Sequence, residues 1–398
     1  MLPTVRPTAT LIRVLACAVG CVVSGWVTQG PTGSVAAAQA DEWTFERAGY
    51  RFGVFDQRGH GLQSQAGLDP RGGREDAWIF QAFLDFRVRQ DRNAVHQVVI
   101  PVDIVSAAST DALDAVSTAS RETEAASIDY LLTVQDTEHT SYQLRLRPHV
   151  EEHWNAYSIG GAAIHSFADD NAILRVGTEF TWDSFDKISP SGADGGRFVN
   201  RFALGVHAGI SQLLSPTTVV SAMYSFTAQF GYLNTTFNAV RINDNQRAAE
   251  LFPRQRGRHS LSGEIRQAIP ETQTYLALAY RFYADSFEAY AQTARATVTQ
   301  LFGDLWLRGH YRFHYQDAPY FWVERVPDNA ERWTPITSDS DLATLHAHEL
   351  GANLRWFFDR QAALTALSSF VQIGYLYYWR SNGLTTHLAT VELGLDFR

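Results

Sequence analysis

Cysteine is nearly missing from this 398-residue chain, and the two present, Cys17 and Cys21, both lie near its start. Whatever follows can form no disulfide and no thiolate metal site, so its stability comes from backbone and side-chain contacts alone. Lysine occurs once, as Lys187, although Lys and Arg together number 33. Nearly all positive charge is therefore guanidinium, a planar group that pairs bidentately with carboxylate and is costly to place in hydrocarbon. Nothing after Asp41 offers roughly 18 uninterrupted apolar residues, which excludes a spanning helix there. A formal net charge of -9 with no basic block excludes a phosphate-tracking surface for nucleic acid. The G-x-S-x-G, P-loop and H-E-x-x-H motifs are absent as well. No spacing among the Ser, His and Asp residues singles out a nucleophile, a base and an orienting acid, so neither a catalytic set nor a cofactor is expected.

The N-terminus reads as a secretory signal peptide. Arg6 and Arg13 precede an apolar run, VLACAVGCVVSGWV at 14–27, and the small-residue site Ala38-Gln39-Ala40 precedes Asp41. Residues 1–40 are expected to be removed, leaving 41–398 as one domain. Cleavage at Cys17 or Cys21, as in a lipoprotein, is the weaker alternative, because the residues upstream fit it poorly.

What the chain has in abundance is period-two alternation. In DLWLRGHYRFHYQ at 304–316, Leu305, Leu307, Gly309, Tyr311, Phe313 and Tyr315 alternate with Trp306, Arg308, His310, Arg312, His314 and Gln316. In AILRVGTEFTWD at 172–183, an apolar set including Leu174, Val176 and Phe180 alternates with Arg175, Gly177, Glu179 and Asp183. The same pattern sets Phe202, Leu204 and Val206 against Arg201 and His207, and Tyr142, Leu144 and Leu146 against Arg145 and Arg147. Many such segments reach about ten residues, longer than a common soluble strand and close to what a tilted strand needs to cross a bilayer.

The connections sort by length. About sixteen strands are expected from Trp43 onward, and every second link is a tight polar turn: 90–94, 135–139, 167–171, 214–218, 269–272, 301–304 and 358–361. The long links, 57–75, 107–120, 184–196, 234–257 and 317–341, fall in the other set. That asymmetry is the mark of an outer-membrane barrel, with short periplasmic turns and long outer loops. In hydrocarbon only a helix or a closed barrel satisfies the backbone, and the helix is excluded. The fold class expected is all-β, a transmembrane up-and-down antiparallel barrel of about sixteen strands, in a Gram-negative outer membrane with both termini periplasmic.

The paired segment Asp103 to Ser109 (DIVSAAS) and Asp114 to Ser120 (DAVSTAS) resembles a bacterial outer-membrane β-barrel family catalogued only as a domain of unknown function. The resemblance implies the barrel and its location and brings no activity. The chain departs from the usual aromatic final residue, since Arg398 follows Phe397. By itself the repeat reads as a hairpin with Asx-type turns in preference to a cation site, because two carboxylates do not make an oxygen cage.

The candidate site residues are charged or imidazole side chains on inward registers: Arg308, His310, Arg312, His314, Arg175, Glu179, Arg145, Arg147, Arg201 and His207. They either form cross-strand ion-pair ladders or line a conduit biased towards anions. His310 and His314 lie roughly 13 Å apart along a strand, too far to share a metal, and no metal site is expected at His346 and His348. Trp154, Trp182, Tyr224, Phe230, Tyr232, Trp356, Tyr377, Tyr378 and Trp379 are expected in interfacial girdles. The function expected is a porin-like channel for small hydrophilic solutes; the alternatives are a non-conducting scaffold or receptor barrel and, ranked third, a membrane-embedded hydrolase. Expected partners are outer-membrane lipids and lipopolysaccharide, the barrel-insertion machinery and those solutes, with no nucleic acid and the oligomeric state left open.

Overall fold

The computed structural model describes residues 43–59, 77–105, 123–151, 154–188, 194–234, 239–243, 246–323, 335–358 and 367–397. The expected signal peptide and, apart from 103–105, the Asp-x-Val-Ser-x-Ala-Ser pair lie outside these residues. The first strands are β1 (Trp43–Arg58), β2 (Ala77–Gln90), β3 (Ala94–Val105), β4 (Thr123–Ser127), β5 (Asp129–Gln135), β6 (Thr140–Glu151) and β7 (Trp154–Phe167). They are followed by β8 (Ala172–Ile188), β9 (Asp194–Ser215), β10 (Thr218–Gly231), β11 (Ala239–Asn243), β12 (Gln246–Ala249) and β13 (Gln255–Ile269). The chain ends with β14 (Thr274–Asp285), β15 (Tyr290–Phe302), β16 (Leu305–Gln316), β17 (Leu345–Phe357), β18 (Leu367–Arg380) and β19 (Thr385–Phe397).

All strands except the β11–β12 hairpin belong to one antiparallel sheet in which neighbours in sequence are neighbours in space. Both β4 and β5 lie between β3 and β6, interrupted at Ile128, so they form one stave. The seventeen strands of the sheet are thus sixteen staves. The last stave returns to the first: β1 pairs with β2 on one side and with β19 on the other. Closure gives every stave two partners and leaves no edge for another chain to pair with.

Register carries one face around the whole ring. Directly opposed residues point to the same side, so Arg145↔Gly160, Gly160↔Glu179, Glu179↔Gly205, Gly205↔Thr227 and Thr227↔Arg258 share a side. That side continues through Arg312 and Glu349 to Glu392 and Arg51. It is the inner face, and it carries the charges. The outer face carries Tyr50, Leu144, Ile159, Val176, Leu204, Leu261, Tyr311, Tyr375 and Leu393, all exposed, with Leu278 at 59% and Ile373 at 53%. No helix among the described residues is long and apolar enough to cross a membrane.

The links divide as the alternation implies. Tight turns join β2 to β3, β5 to β6, β7 to β8, β9 to β10, β13 to β14 and β15 to β16. Asp91 and the run Ala168, Asp169 and Asp170 take positive φ there, a conformation that short polar side chains tolerate. The start of β1 meets the end of β19 at this same end, with Phe45 edge-on to Phe397 at 5.2 Å. Apart from Phe358, the expected turn at 358–361 lies outside the described residues; β17 ends at Phe357, which pairs with Phe370 on β18. The other end also holds short links, between β6 and β7, β14 and β15, and β18 and β19.

Ring closure has a direct test. With Cys17 and Cys21 replaced by serine, the double variants Tyr50→Cys/Leu393→Cys and Gly53→Cys/Thr390→Cys place thiols on directly opposed residues of β1 and β19, about 5 Å apart at Cβ. At least one pair should cross-link on mild oxidation and shift on a non-reducing gel, whereas Tyr50→Cys/Leu278→Cys should not. Absence of cross-linking in both opposed pairs would contradict the closed ring.

Candidate functional site

The inner wall is held by charge pairs between adjacent staves and, for Arg147–Glu179 and Arg355–Glu392, across one intervening stave. Arg145 Nε donates to Asp129 at 2.7 Å, Arg147 reaches Glu179 at 3.2 Å, and Arg201 Nε donates to Asp183 at 2.7 Å. On the other flank Glu349 accepts from His310 at 2.8 Å and lies 3.3 Å from Arg312. Towards the tight-turn end, Arg47 lies 3.4 Å from Asp85 and 3.6 Å from Glu392, with Arg355 3.7 Å from the same glutamate. Most of these groups are half-buried, and each such pair in partly wet surroundings contributes about 1 kcal/mol or less. Their combined effect is positional: the guanidinium groups are held in place along the wall.

Two glycines make room for imidazoles. Gly177 faces His207 across β8 and β9, and a Cβ on it would lie 2.5 Å from the ring. Gly351 faces His310 in the same way, with the ring occupying the space a Cβ would take. Both imidazoles therefore lie flat on the wall instead of standing into the lumen.

At the end with the long links, loop segments fold over the inner wall of β13 to β18. Phe252, Phe287 and Phe321 pack together, with Phe321 5.0 Å from each of the other two ring centroids. Asp285 anchors this trio: its carboxylate accepts from Arg256 Nε at 2.8 Å, Tyr283 at 2.7 Å, and the backbone N–H groups of Phe287 and Ala289 at 2.9 and 3.2 Å. The Arg256 guanidinium lies 4.6 Å from the Phe287 ring centroid. Leu251 and Ile336 exchange backbone hydrogen bonds at 3.0 and 2.8 Å, joining two loops. Thr337 donates to Glu250 at 2.5 Å beneath them. Burial and the Glu250 charge push the Tyr232 phenol up, against a hydrogen bond from Asn234 that lowers it.

A buried ion pair ties this cap to the barrel. Arg380 Nη1 on β18 donates to Asp341 at 2.6 Å, and the two side chains are 1% and 2% exposed. Gln316, ending β16, donates to the carbonyls of Asp341 at 2.7 Å and Ala343 at 2.9 Å.

All ten expected site residues lie on the inner face. Arg145, Arg175, Glu179 and His207 come together around a 360 Å³ recess, with Arg175 Nε 3.4 Å from His207 Nε2. Arg147 borders them through Glu179. Arg201 stands apart near the long-link end, with Asp183 and its guanidinium 4.8 Å from the Phe185 ring. On β16, Arg308 meets Thr299 at 3.2 Å and Arg312 lines a cavity of 570 Å³. His314 is only 1% exposed, bonded to Thr293 and Gln316 under the cap, so it presents no surface to a passage.

Two of the expected girdle residues belong inside. Trp154 is buried, donates to Asp183 at 3.2 Å and stacks on Phe185. Its parity matches inward Ser158 and Gly160, which forces it to the inner face. Tyr378 opposes Glu349 and shares its side. His346 and His348 face outward, where His348 stacks on Trp379 at 4.8 Å and bonds Tyr311 at 2.7 Å. Sequence reading missed Asp129, Asp285, Arg295, Asp341, Glu349 and Arg380. Cross-strand parity would have found those on staves; the loop residue Asp341 carries no local signal.

Residues 179–376 match the model of a family described as a protein of unknown function (DUF3570). No curated protein matches the sequence. Among solved structures, a BenF-like porin from Pseudomonas fluorescens Pf-5 is 9% identical with a TM-score of 0.44, covering 89% of this chain and 99% of that one. Pseudomonas aeruginosa OpdO is 8% identical with a TM-score of 0.45, covering 88% and 96%. The siderophore receptor PirA from Acinetobacter baumannii is 11% identical with a TM-score of 0.44, covering 84% of this chain and 53% of its own.

Removing one partner of the buried Arg380–Asp341 pair strands a charge, which costs about 3–5 kcal/mol. Asp341→Ala should therefore accelerate limited proteolysis within 317–344 at least tenfold while the barrel stays intact on gels. The double variant Asp341→Ala/Arg380→Ala should be less destabilised than the sum of the singles. Unchanged cleavage in both would contradict the anchoring role.

Proposed function

From the match of residues 179–376 to the DUF3570 family model, we propose that the chain is an integral outer-membrane barrel working as a porin-like passive channel for small hydrophilic solutes. The observation that carries this reading is the division of the wall into two faces. Water gives no reason to present Leu278, Ile373, Tyr375, Val391 and Leu393 on one continuous exposed surface, since soluble monomers rarely expose apolar patches beyond a few hundred Å². Hydrocarbon does, and it also requires the closed hydrogen bonding of the sheet. The inner face, with Arg145, Arg175, Glu179, Arg308 and Arg312, is polar and wet, and sixteen staves enclose a bore wide enough for solutes.

In this reading residues 1–40 direct export and are removed. The tight-turn end, where β1 and β19 meet, faces the periplasm, and the capped end faces outward. Insertion depends on the outer-membrane assembly machinery, and the apolar face contacts lipid and lipopolysaccharide. No step of the proposed function is catalytic.

The cap favours a second reading. Phe252, Phe287, Phe321 and the Arg380–Asp341 pair cover one side of the mouth, which also suits a non-conducting receptor or scaffold. Planar-bilayer recording of the refolded, detergent-purified chain separates the two. The channel reading expects stepwise currents, enlarged in Asp341→Ala. Protein that is compact on an unboiled gel but carries no current at any voltage, with or without that substitution, would overturn the channel and leave the receptor.

A further inference from the structure

Below the cap the inner wall of β8 to β16 holds a cavity of 570 Å³. Five arginines line it, Arg175, Arg266, Arg281, Arg295 and Arg312, against one carboxylate, Glu264. Glu264 is engaged with Arg266, and Glu349 stands behind Arg312, shared with His310. Arg295 is different. Among the described residues it has no ion-pair or hydrogen-bond partner, and it sits directly opposite Arg312 in the register. Like charges directly opposed on a sheet repel and destabilise it. A diagonal neighbour, Arg281, is fixed by donating to Ser260 at 2.8 Å, and the hydroxyls of Ser211, Ser221, Ser262 and Thr293 border the same space.

A wall that needed only rigidity would pair Arg295, as it pairs Arg145, Arg147 and Arg201. Local arrangements that oppose stability without a compensating contact are where binding sites are found. The missing component is negative, small enough for the cavity, and able to accept from several planar donors at once. Resting on the channel reading, which supplies the route by which a solute arrives, we infer that Arg295, Arg312 and Arg281 form a binding subsite for small organic oxyanions, carboxylate or phosphate compounds, halfway through the lumen. The guanidinium fork suits both oxyanion geometries, and the hydroxyls take the remaining lone pairs.

The test is calorimetric titration of the refolded protein in neutral detergent with succinate and, separately, inorganic phosphate, at low salt. Saturable binding of at least one anion is expected, weakened tenfold or more by Arg295→Gln and by Arg312→Gln. Arg51→Gln, which removes the same charge from β1, should leave it within twofold. Arg295→Gln should not lower the urea midpoint, because it relieves the opposition to Arg312; a purely structural arginine would lower it. Binding of neither anion, or equal binding in wild type and both lumen variants, overturns the subsite. The stronger of the two anions identifies its natural class. Because titration needs no current, anion binding without conductance would sink the channel and keep the subsite, and conductance without binding would do the reverse.

Discussion

Twelve residue pairs join β1 to β19, from Arg47↔Asp396 to Arg58↔Thr385, and they turn an open sheet into a ring. An unpaired backbone group away from water costs several kcal/mol, so a sheet placed in hydrocarbon cannot keep an edge. Once the ring closes, the two faces of each strand become an inside and an outside, and the period-two alternation decides what each one meets. Register then becomes binding all round: a slip of one residue in any stave would turn its arginines outward and its leucines inward. The consistent parity from Arg145 on β6 to Arg51 on β1 is the consequence of that constraint.

The inner wall solves a second problem, that of keeping many long cations in a confined space. Ion pairs along the β5 to β9 flank and the Glu349 cluster hold guanidinium groups against the wall, and Gly177 and Gly351 let imidazoles lie flat upon it. Arginine suits this work better than lysine because its fork engages two acceptors at once, in keeping with the single lysine of the sequence. Pairing lapses at Arg295, which stands opposite Arg312 in the register. The cap adds a separate feature: its contacts with Arg256, Arg380 and Gln316 anchor loops to the rim through buried hydrogen bonds.

The barrel was legible because its defining pattern is local. Leu305 to Tyr315 alternate with Trp306 to Gln316 within a single stretch, and the inner-facing set needs no tertiary information. The same logic placed all ten expected lumen residues on one face. It misplaced Trp154 because that residue was judged by its type, aromatic, instead of by its parity with Ser158. It did not anticipate that His314 would be covered, since the covering loop is fixed by Asp341 and Arg380, which are 39 residues apart in sequence. The Phe252–Phe287–Phe321 trio draws on three separate links. Such contacts depend on how loops return to the barrel, and no periodicity encodes that. The repeated Asp-x-Val-Ser-x-Ala-Ser segment, the most specific motif in the sequence, falls almost wholly outside the described residues and contributes nothing to the geometry.

In an outer-membrane barrel the two faces of one strand meet lipid and water in alternation. Single-cysteine substitutions at 307 to 314, made in a background lacking Cys17 and Cys21 and labelled with a fluorophore in liposomes, measure this directly. Labels at Leu307, Gly309, Tyr311 and Phe313 should be quenched by brominated lipid, and those at Arg308, His310 and Arg312 by aqueous iodide. Uniform quenching by iodide at all positions, with no response to brominated lipid, would contradict it.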